Sequence, residues 1–283
     1  PPKLASFEGL GVDGFRAKLE NFGLSVDTAS IKATVDGADA ELTTSTEGGA
    51  TIVNYSFPSI PTPLSKHNVS LSYSDSAGNS FTKDLVFSIT LDYKGVPASY
   101  ASSSADKTAS GFIANVTQIS TIQTETLASV HGGTIKGAEK QLAGQFLNPN
   151  ELDDNDNPQP YLNEADPDAW DSWTIAPVEI DGTINWNQDE GAVQGNFGEE
   201  ALIPQIPGWG DSSDGIVAEI LTYLDLKKGL HQLGVNSDDG FSLSFGPNAK
   251  DVLGLVAGQF NGNRGAADTI FNIVVPDPST HNF

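Results

Sequence analysis

Oxygen-bearing side chains in one acidic segment are spaced like the ligands of a cation. Asp153, Asn155 and Asn157 occupy alternate positions, and Glu164 stands at the twelfth place counted from Asp153. Carboxylate and amide oxygens in this pattern bind Ca²⁺ in an EF-hand loop. The sixth place of such a loop needs a positive φ, but here it holds Pro158, whose ring fixes φ at roughly −65°. Pro158 therefore excludes an EF-hand. Two interpretations remain, a solvated acidic loop and an unspecified Ca²⁺-binding loop.

The charge around this segment is strongly one-sided. Residues 141–226 contain 18 Asp or Glu and no Lys or Arg, and the whole chain has 37 acidic against 14 basic residues, a net charge of −23. Nucleic-acid affinity depends on basic side chains that neutralise phosphates, and anionic membrane surfaces attract basic segments. No stretch approaches the roughly 18 apolar residues of a membrane span. The composition therefore predicts no nucleic-acid partner and no membrane insertion.

Residues for covalent or redox chemistry are scarce. The chain has no cysteine, which excludes disulfide scaffolds, thiol catalysis and cysteine-ligated metals. Its four histidines are far apart, and no nucleophile elbow, phosphate-binding loop or dinucleotide fingerprint is present. We therefore expect no enzymatic activity. The lack of cysteine, the acidity and the many Ser, Thr, Asn and Gly residues favour a secreted or cell-surface protein, and the start at Pro1-Pro2 is typical of a mature product or an excised segment.

The elements that must position these side chains are mostly strands. In residues 1–92 apolar side chains alternate with polar ones, as at Val69, Leu71 and Tyr73, which is the period of a half-buried strand. Turn sequences separate about seven such strands, and this density predicts an antiparallel β-sandwich. The predicted turns include Asp36-Gly37, Gly48-Gly49 and Asp75 to Asn79. The segment resembles bacterial immunoglobulin-like modules in its closing turn, Tyr73 to Asn79, and in its last strand, Phe87-Ser88-Ile89.

Residues 93–172 are predicted to be a linker that contains one helix and the acidic loop. The first part of this segment is rich in Gly, Pro and Ser, which is a linker composition. Apolar side chains repeat every four residues from Ala138 to Phe146 and predict a helix over about 134–145. An additional strand over 112–119 is an alternative for part of the segment.

Alternation returns in residues 173–283 and indicates a second β-sandwich, with an incomplete C-terminal end as one alternative. The strand from Phe241 to Phe245 follows a turn of hairpin composition, Asn236 to Gly240. The stretch Val235 to Leu243, V-N-S-D-D-G-F-S-L, resembles the central hairpin of PA14 domains, β-sandwich modules of bacterial toxins, glycosidases and yeast adhesins. We therefore expect an all-β chain, with an immunoglobulin-like sandwich followed by the linker and a PA14-like sandwich.

The resemblance implies a cation site in this hairpin. The adhesin branch of the PA14 family joins two adjacent aspartates by a cis peptide bond and uses them to hold Ca²⁺, which then coordinates sugar hydroxyls. By position these aspartates are Asp238 and Asp239, and the further ligands of that branch would come from Asn261, Asn263 and Asp268. The loop that holds the last three, N-G-N-R-G-A-A-D, also resembles a stretch in large secreted proteins of Planctomycetes and Verrucomicrobia. From the residues alone, Ser-Asp-Asp-Gly is equally a good hairpin turn with a structural role.

Three functions agree with these observations. The first is a secreted or cell-surface binding module that recognises a glycan or a cell-surface ligand with Ca²⁺. The second is a structural subunit of an extracellular fibre or surface layer, assembled from identical chains. The third is an accessory segment of a larger secreted glycosidase.

The strand predicted over 269–275 bears on assembly. It is apolar on both faces, so we expect it to be a central strand with a neighbour on each side. Too little sequence follows it to form the next strand, and an uncovered edge is a pairing site. We therefore expect either a longer polypeptide or a strand donated by another chain to cover it.

Overall fold

The computed structural model describes residues 1–103, 105–106, 108, 111–124, 133–169, 172–188, 200–248, 250–251 and 253–276. Strands account for 47% of the described residues and helical turns, α and 3-10 together, for 6%, so this part of the chain is predominantly β-structure, as the sequence predicts. The chain divides into two compact units. The first contains residues 1–98, 227–232 and a segment that begins at 272, and the second contains residues 99–226 and 233–271.

Two four-stranded antiparallel sheets form most of the first unit. The strands of this part of the chain are β1 (Lys3–Gly9), β2 (Phe15–Glu20), β3 (Val26–Val35), β4 (Ala38–Asp39), β5 (Leu42–Glu47), β6 (Ala50–Tyr55), β7 (Lys66–Asp75), β8 (Ser80–Ser88) and β9 (Lys94–Gly95). One sheet has the strand order β1-β2-β6-β5 and the other has the order β4-β3-β7-β8. The sequence predicts about seven strands before residue 92, and the structure has eight.

The two sheets share one apolar core. Phe15 and Leu19 of β2 are fully buried, and Leu71 of β7 joins them from the other sheet. The ring of Phe15 stacks on Tyr55 with 5.3 Å between the ring centroids. Because successive side chains of a strand point to opposite faces, the alternation seen in the sequence decides which residues enter this core. Burial of each large apolar side chain stabilises the fold by about 1.5–3 kcal/mol.

The predicted turn residues lie at the hairpins of this unit. Asp36-Gly37 joins β3 to β4, Gly48-Gly49 joins β5 to β6, and residues 75–79 join β7 to β8. Both residues of each of the first two turns have positive φ, which is what a two-residue hairpin turn that matches the strand twist requires. The three turn predictions are confirmed.

The carboxylate of Asp36 ties the β3–β4 turn to β7. Its Oδ2 lies 2.7 Å from Nδ1 of His67, and its Oδ1 accepts the backbone N–H of Asn68 at 2.9 Å. The imidazole of His67 packs against the rings of Phe57 and Phe87. The N–H of Asn68, followed by the side chain of His67, lowers the pKa of Asp36 below its ordinary value.

Replacing Asp36 by asparagine is expected to destabilise the first unit near neutral pH but not in acid. Asparagine tolerates the positive φ of this position, so the backbone is retained. Since the pKa of Asp36 is lower in the folded protein, its stabilising effect is complete above the unfolded pKa of about 3.9. The effect is lost as pH falls through the folded value. Because the side chain is 46% exposed, we expect a difference below about 1 kcal/mol. Thermal unfolding of both proteins near neutral pH and below about pH 3 measures it, and an equal difference at both pH values would contradict the assignment.

The second unit contains several small sheets and, among its described residues, one α-helix. The helix is α1 (Ile135–Leu142). The strands are β10 (Phe112–Gln118), β11 (Leu147–Leu152), β12 (Pro158–Pro160), β13 (Val178–Ile180), β14 (Trp186–Asn187), β15 (Ala201–Leu202), β16 (Ile216–Leu221), β17 (Gly229–Ser237), β18 (Phe241–Phe245), β19 (Leu255–Phe260) and β20 (Ala267–Val275). Its sheets have the orders β13-β10-β16, β11-β12, β14-β15 and β18-β19. A further sheet has the order β17-β20-β9, and β9, residues 229–232 of β17 and residues 272–275 of β20 belong to the first unit.

Part of the segment predicted as a linker, 93–172, is folded into the second unit. β10 is the middle strand of its sheet and pairs with β16 from Ile113 to Gln118, which agrees with the strand alternative for 112–119. The helix predicted over about 134–145 is α1, and the side chain of Thr134 caps it by accepting the N–H of Gly137. Residues 93–172 therefore supply strands and a helix as well as connections.

The strand predicted over 269–275 is β20, and it is a middle strand as expected. β17 lies on one side of it, and β9 pairs parallel to it at Ile273 and Val274 on the other. The sequence does not predict β9 as a neighbour, because two residues of a linker-like segment carry no strand pattern. At these two residues, the edge that we expected to be uncovered is occupied by this chain itself.

Fully buried polar side chains hold loops of the second unit in place. The side chain of Gln118 accepts the N–H of Gly208 and donates to the carbonyl of Ser212. The side chain of Asn163 accepts the N–H of Gln118 and donates to the carbonyl of Thr174. These bonds satisfy buried backbone groups in segments that have little regular structure.

Candidate metal centre

Two adjacent carboxylates project from the turn between β17 and β18. Asp238 and Asp239 are joined by a cis peptide bond, which is the geometry that the PA14 resemblance implies. Oγ of Ser237 donates to the carbonyl oxygen of Asp239 at 2.8 Å. Both aspartates are exposed, and their side chains lie close enough for the charge of Asp239 to act on Asp238. The turn therefore presents a pair of like charges to the solvent.

The surroundings of Asp238 disfavour its ionisation. Burial, followed by the negative charge of Asp239, raises the pKa of Asp238 above its ordinary value. A hydrogen bond from the N–H of Ala266 and the positive charge of Arg264 oppose this rise only in part. A divalent cation between the two carboxylates would neutralise their repulsion.

The loop after β19 closes around the pair. The backbone N–H of Arg264 donates to Oδ1 of Asp239 at 3.0 Å, and the N–H of Ala266 bonds to Asp238. Asn263 precedes Arg264 in this loop, and its Oδ1 lies against Gly133, just before α1. The structure therefore brings Asp238, Asp239 and the loop that holds Asn263 together.

The other two predicted ligands already have protein partners. Oδ1 of Asn261 accepts the N–H of Ile135, the first residue of α1, at 2.9 Å. Oδ1 of Asp268 accepts Nδ2 of Asn236 at 2.7 Å and so connects β20 to β17. The prediction assigned these two oxygens to a cation. It missed their protein partners because the sequence gives no sign of contacts between residues so far apart in the chain.

Gly240 shows how closely the backbone packs at this turn. A Cβ atom at Gly240 would lie 2.8 Å from the carbonyl oxygen of Phe260, 3.0 Å from that of Gly133 and 3.2 Å from that of Gly262. These contacts are tight enough to require glycine, and they bring three segments of the chain together beside the two aspartates. Backbone carbonyl and amide oxygens are Ca²⁺ ligands along with carboxylates, so the donor set of this region fits a hard cation.

The described residues contain no group of three or more His, Asp or Glu side chains arranged to hold a metal ion. A cation at Asp238 and Asp239 would therefore complete its coordination with neutral oxygens. The amide of Asn263 and backbone carbonyls are the candidates, and water and a ligand's hydroxyl groups are the other sources.

The second predicted cation loop is the turn of the β11–β12 hairpin. Oδ1 of Asp153 accepts the backbone N–H of Asn155 at 2.8 Å and that of Asn157 at 2.9 Å. Nδ2 of Asn157 also donates to both oxygens of this carboxylate at 3.2 Å. The backbone N–H of Asn157 is the largest cause of a lowered pKa at Asp153. The carboxylate of Asp153 thus closes the turn that contains it.

The same arrangement occurs in the first unit. In the turn between β7 and β8, Oδ1 of Asp75 accepts the N–H groups of Ala77 and Asn79, and Nδ2 of Asn79 bonds to the same carboxylate. Both turns have the pattern Asp-x-x-x-Asn, with a positive φ at the fourth residue, Gly78 or Asp156. The repeat supports a structural role for the acidic turn.

Glu164, the last residue of the predicted loop, is buried and bonded to other protein groups. The side chain is 1% exposed and lies in the buried polar cluster of the second unit. Its Oε1 accepts the N–H of Ser120 at 2.7 Å and Nε2 of Gln123 at 2.8 Å, and its Oε2 accepts Oγ of Ser120 at 2.6 Å. The EF-hand spacing assumes a continuous loop, whereas β12 lies between Asn157 and Glu164.

Comparison of the chain with protein-family models, curated proteins and solved structures finds no match. In the described part of the chain, no helix is long and apolar enough to cross a membrane.

Proposed function

We propose that this chain is a secreted or cell-surface binding module without enzymatic activity, which holds Ca²⁺ at Asp238 and Asp239 and recognises a glycan or another cell-surface ligand through that ion. The observation that carries the proposal is the pair of adjacent, exposed carboxylates, which accept backbone N–H groups from the loop that runs from Asn261 to Ala266.

The chemistry of the pair supports Ca²⁺ over a softer metal. All the candidate ligands are oxygens, and Ca²⁺ prefers carboxylate, carbonyl, amide and water oxygens. The chain has no cysteine, and its net charge of −23 attracts cations.

The exposure of the pair supports ligand recognition. Both aspartates reach the solvent, so an ion held there would keep coordination positions open for the hydroxyl groups of a ligand. A sugar with vicinal hydroxyl groups is the ligand class that the PA14 resemblance implies.

Titration of EDTA-treated protein with CaCl₂ is expected to show binding with a Kd of about 10⁻⁴–10⁻³ M, the range of extracellular Ca²⁺ modules. Asp239→Asn keeps the size of the side chain but removes one negative charge from the pair. We expect this variant to bind Ca²⁺ at least about tenfold more weakly by isothermal titration calorimetry.

Asp153→Asn is the matched control, because it makes the same change in the other acidic turn and should leave the Kd unchanged. Loss of binding in Asp153→Asn with retention in Asp239→Asn would move the site to the β11–β12 hairpin. Neither heat nor a thermal shift at millimolar Ca²⁺ in the wild-type protein would reject Ca²⁺ binding altogether. Glycan-array binding that is lost in EDTA and in Asp239→Asn would identify the ligand class.

Exposed apolar side chains favour a second candidate function, a structural subunit assembled from identical chains. The alternate residues Phe241, Leu243 and Phe245 of β18 are half-buried rather than buried, and Ile270 of β20 is 65% exposed. Apolar surface of this kind is typical of interaction sites. Sedimentation over a range of concentrations tests this function, and a single species near 29.7 kDa throughout would reject it.

A further inference from the structure

Every nitrogen of the Arg264 guanidinium group is bonded. Nε donates to the carbonyl oxygen of Ser237 at 3.0 Å, Nη2 donates to Oγ of Ser237 at 2.6 Å, and Nη1 donates to Oγ1 of Thr269 at 2.8 Å. The group also lies over the ring of Phe260, with 4.4 Å from Cζ to the ring centroid, and 5.7 Å from that of Phe241. Stacking and three directed bonds together fix its orientation.

These contacts reach Asp239 by two routes. Oγ of Ser237, which accepts from Nη2, donates in turn to the carbonyl oxygen of Asp239. The backbone N–H of Arg264 donates directly to Oδ1 of Asp239. The guanidinium group therefore connects the last residue of β17, the Asp238–Asp239 turn and the start of β20.

None of the described bonds of the guanidinium group itself goes to a carboxylate of the pair. In these contacts the guanidinium group meets Ser237, Thr269 and two aromatic rings, and the bond to Asp239 comes from the main chain. Residues that hold metal ligands in place without touching the metal commonly change metal affinity when they are replaced.

We propose that Arg264 is the positioning residue of the cation site, which fixes the Asp238–Asp239 turn against the loop from Asn261 to Ala266 in the arrangement that binds the ion. This inference rests on the proposed function of the turn as a Ca²⁺ site. It assigns Arg264 no contact with the ion or with the ligand. The planar fork of arginine is essential to this role, since a lysine ammonium group cannot reach Ser237 and Thr269 in the same geometry or stack in the same way.

Arg264→Lys tests the proposal because it keeps the positive charge and removes the fork. We expect the Kd for CaCl₂, measured by calorimetry, to rise about 10–100-fold, while circular dichroism in EDTA shows a folded protein. Lys250→Arg is the control variant, since it exchanges the same two residue types at an exposed position and should bind Ca²⁺ as the wild-type protein does.

A purely structural role predicts a different pattern. Arg264→Lys would then melt at a lower temperature in EDTA but bind Ca²⁺ with the wild-type Kd, and this result overturns the inference. If Arg264→Lys does not fold, Thr269→Val removes only the acceptor of Nη1. A higher Kd in Thr269→Val supports the inference, and an unchanged Kd overturns it.

The two proposals fail in distinguishable ways. A wild-type protein that takes up no Ca²⁺ rejects the cation site itself and, with it, the role of Arg264. A wild-type protein that binds Ca²⁺ while Arg264→Lys binds it equally well rejects only the role of Arg264.

Discussion

Replacing Glu164 by alanine is expected to lower the unfolding free energy of the second unit by about 4 kcal/mol, which is exceptional for one substitution. The change removes the acceptor of two buried donors, the N–H and Oγ of Ser120, and one of the two acceptors of the part-buried Nε2 of Gln123. Each buried donor left without a partner costs about 1–3 kcal/mol. Urea unfolding followed by tryptophan fluorescence measures the loss, because all four tryptophans fall between residues 99 and 226, in the second unit.

Two other variants separate the buried carboxylate from a general effect of losing a glutamate. Glu179→Ala makes the same change at an exposed residue of β13, and we expect it to stay within about 0.5 kcal/mol of the wild-type protein. Glu164→Gln keeps the size of the side chain but directs an amide NH₂ at one of the donors, so its loss should be intermediate. A loss below about 1 kcal/mol for Glu164→Ala would mean that water replaces the carboxylate.

The first unit is the part of the fold that could be predicted from local sequence. Alternation in β2 and β7 identifies the side chains that enter the core, and paired turn residues such as Gly48-Gly49 mark where the chain reverses. Both signals depend on residues near one another in the chain. Strands joined by a tight turn pair with each other, so these residues are also near one another in the fold. The pairing of β2 with β6 was not predictable in this way, because the register depends on residues far apart in sequence.

The second unit shows where local signals end. β14 and β15 have two residues each, too few for a period-two pattern. The loops of this unit are held by long side-chain bonds, such as the one from Gln118 to the carbonyl of Ser212. No spacing rule along the chain anticipates a bond between residues 94 positions apart.

The candidate site was predictable only where its residues are close together in the chain. Asp238 and Asp239 are adjacent, so one short motif contains them both. Asn261 and Asp268 were assigned by their position in a later loop, but their oxygens bond Ile135 and Asn236.

A local signal did exist for the acidic turn. Comparison of Asp153 to Asn157 with Asp75 to Asn79 within the sequence would have shown the same hairpin pattern twice. The sequence signal for the role of Arg264 was weaker. It consists only of the rarity of arginine, since the chain has two, and of its position among glycines and small polar residues.

Gly14→Ala is expected to destabilise the first unit by about 3 kcal/mol or more, because two costs add at this residue. Gly14 has a φ of 110°, a region that residues with a Cβ atom rarely adopt. A Cβ atom there would also collide with the backbone carbonyl of Tyr55, whose partner in the β2–β6 register is Phe15 of the core. The carbonyl cannot move away without breaking this register.

Gly37→Ala separates the two costs. Gly37 has a positive φ of 85°, but no neighbouring atom lies within 4 Å of the Cβ atom that alanine would add. The free energy of unfolding of this variant should therefore fall by only about 1 kcal/mol. Amide hydrogen exchange of peptides from β2 and β6 measures both losses, since protection of core strands reports the free energy of unfolding of their unit. Equal losses in the two variants would mean that the approach of Tyr55 to Gly14 is looser than the structure indicates. A larger loss for Gly14→Ala supports the contact between the start of β2 and the end of β6 as a determinant of the sheet, since both glycines have a positive φ but only Gly14 lies against a backbone carbonyl.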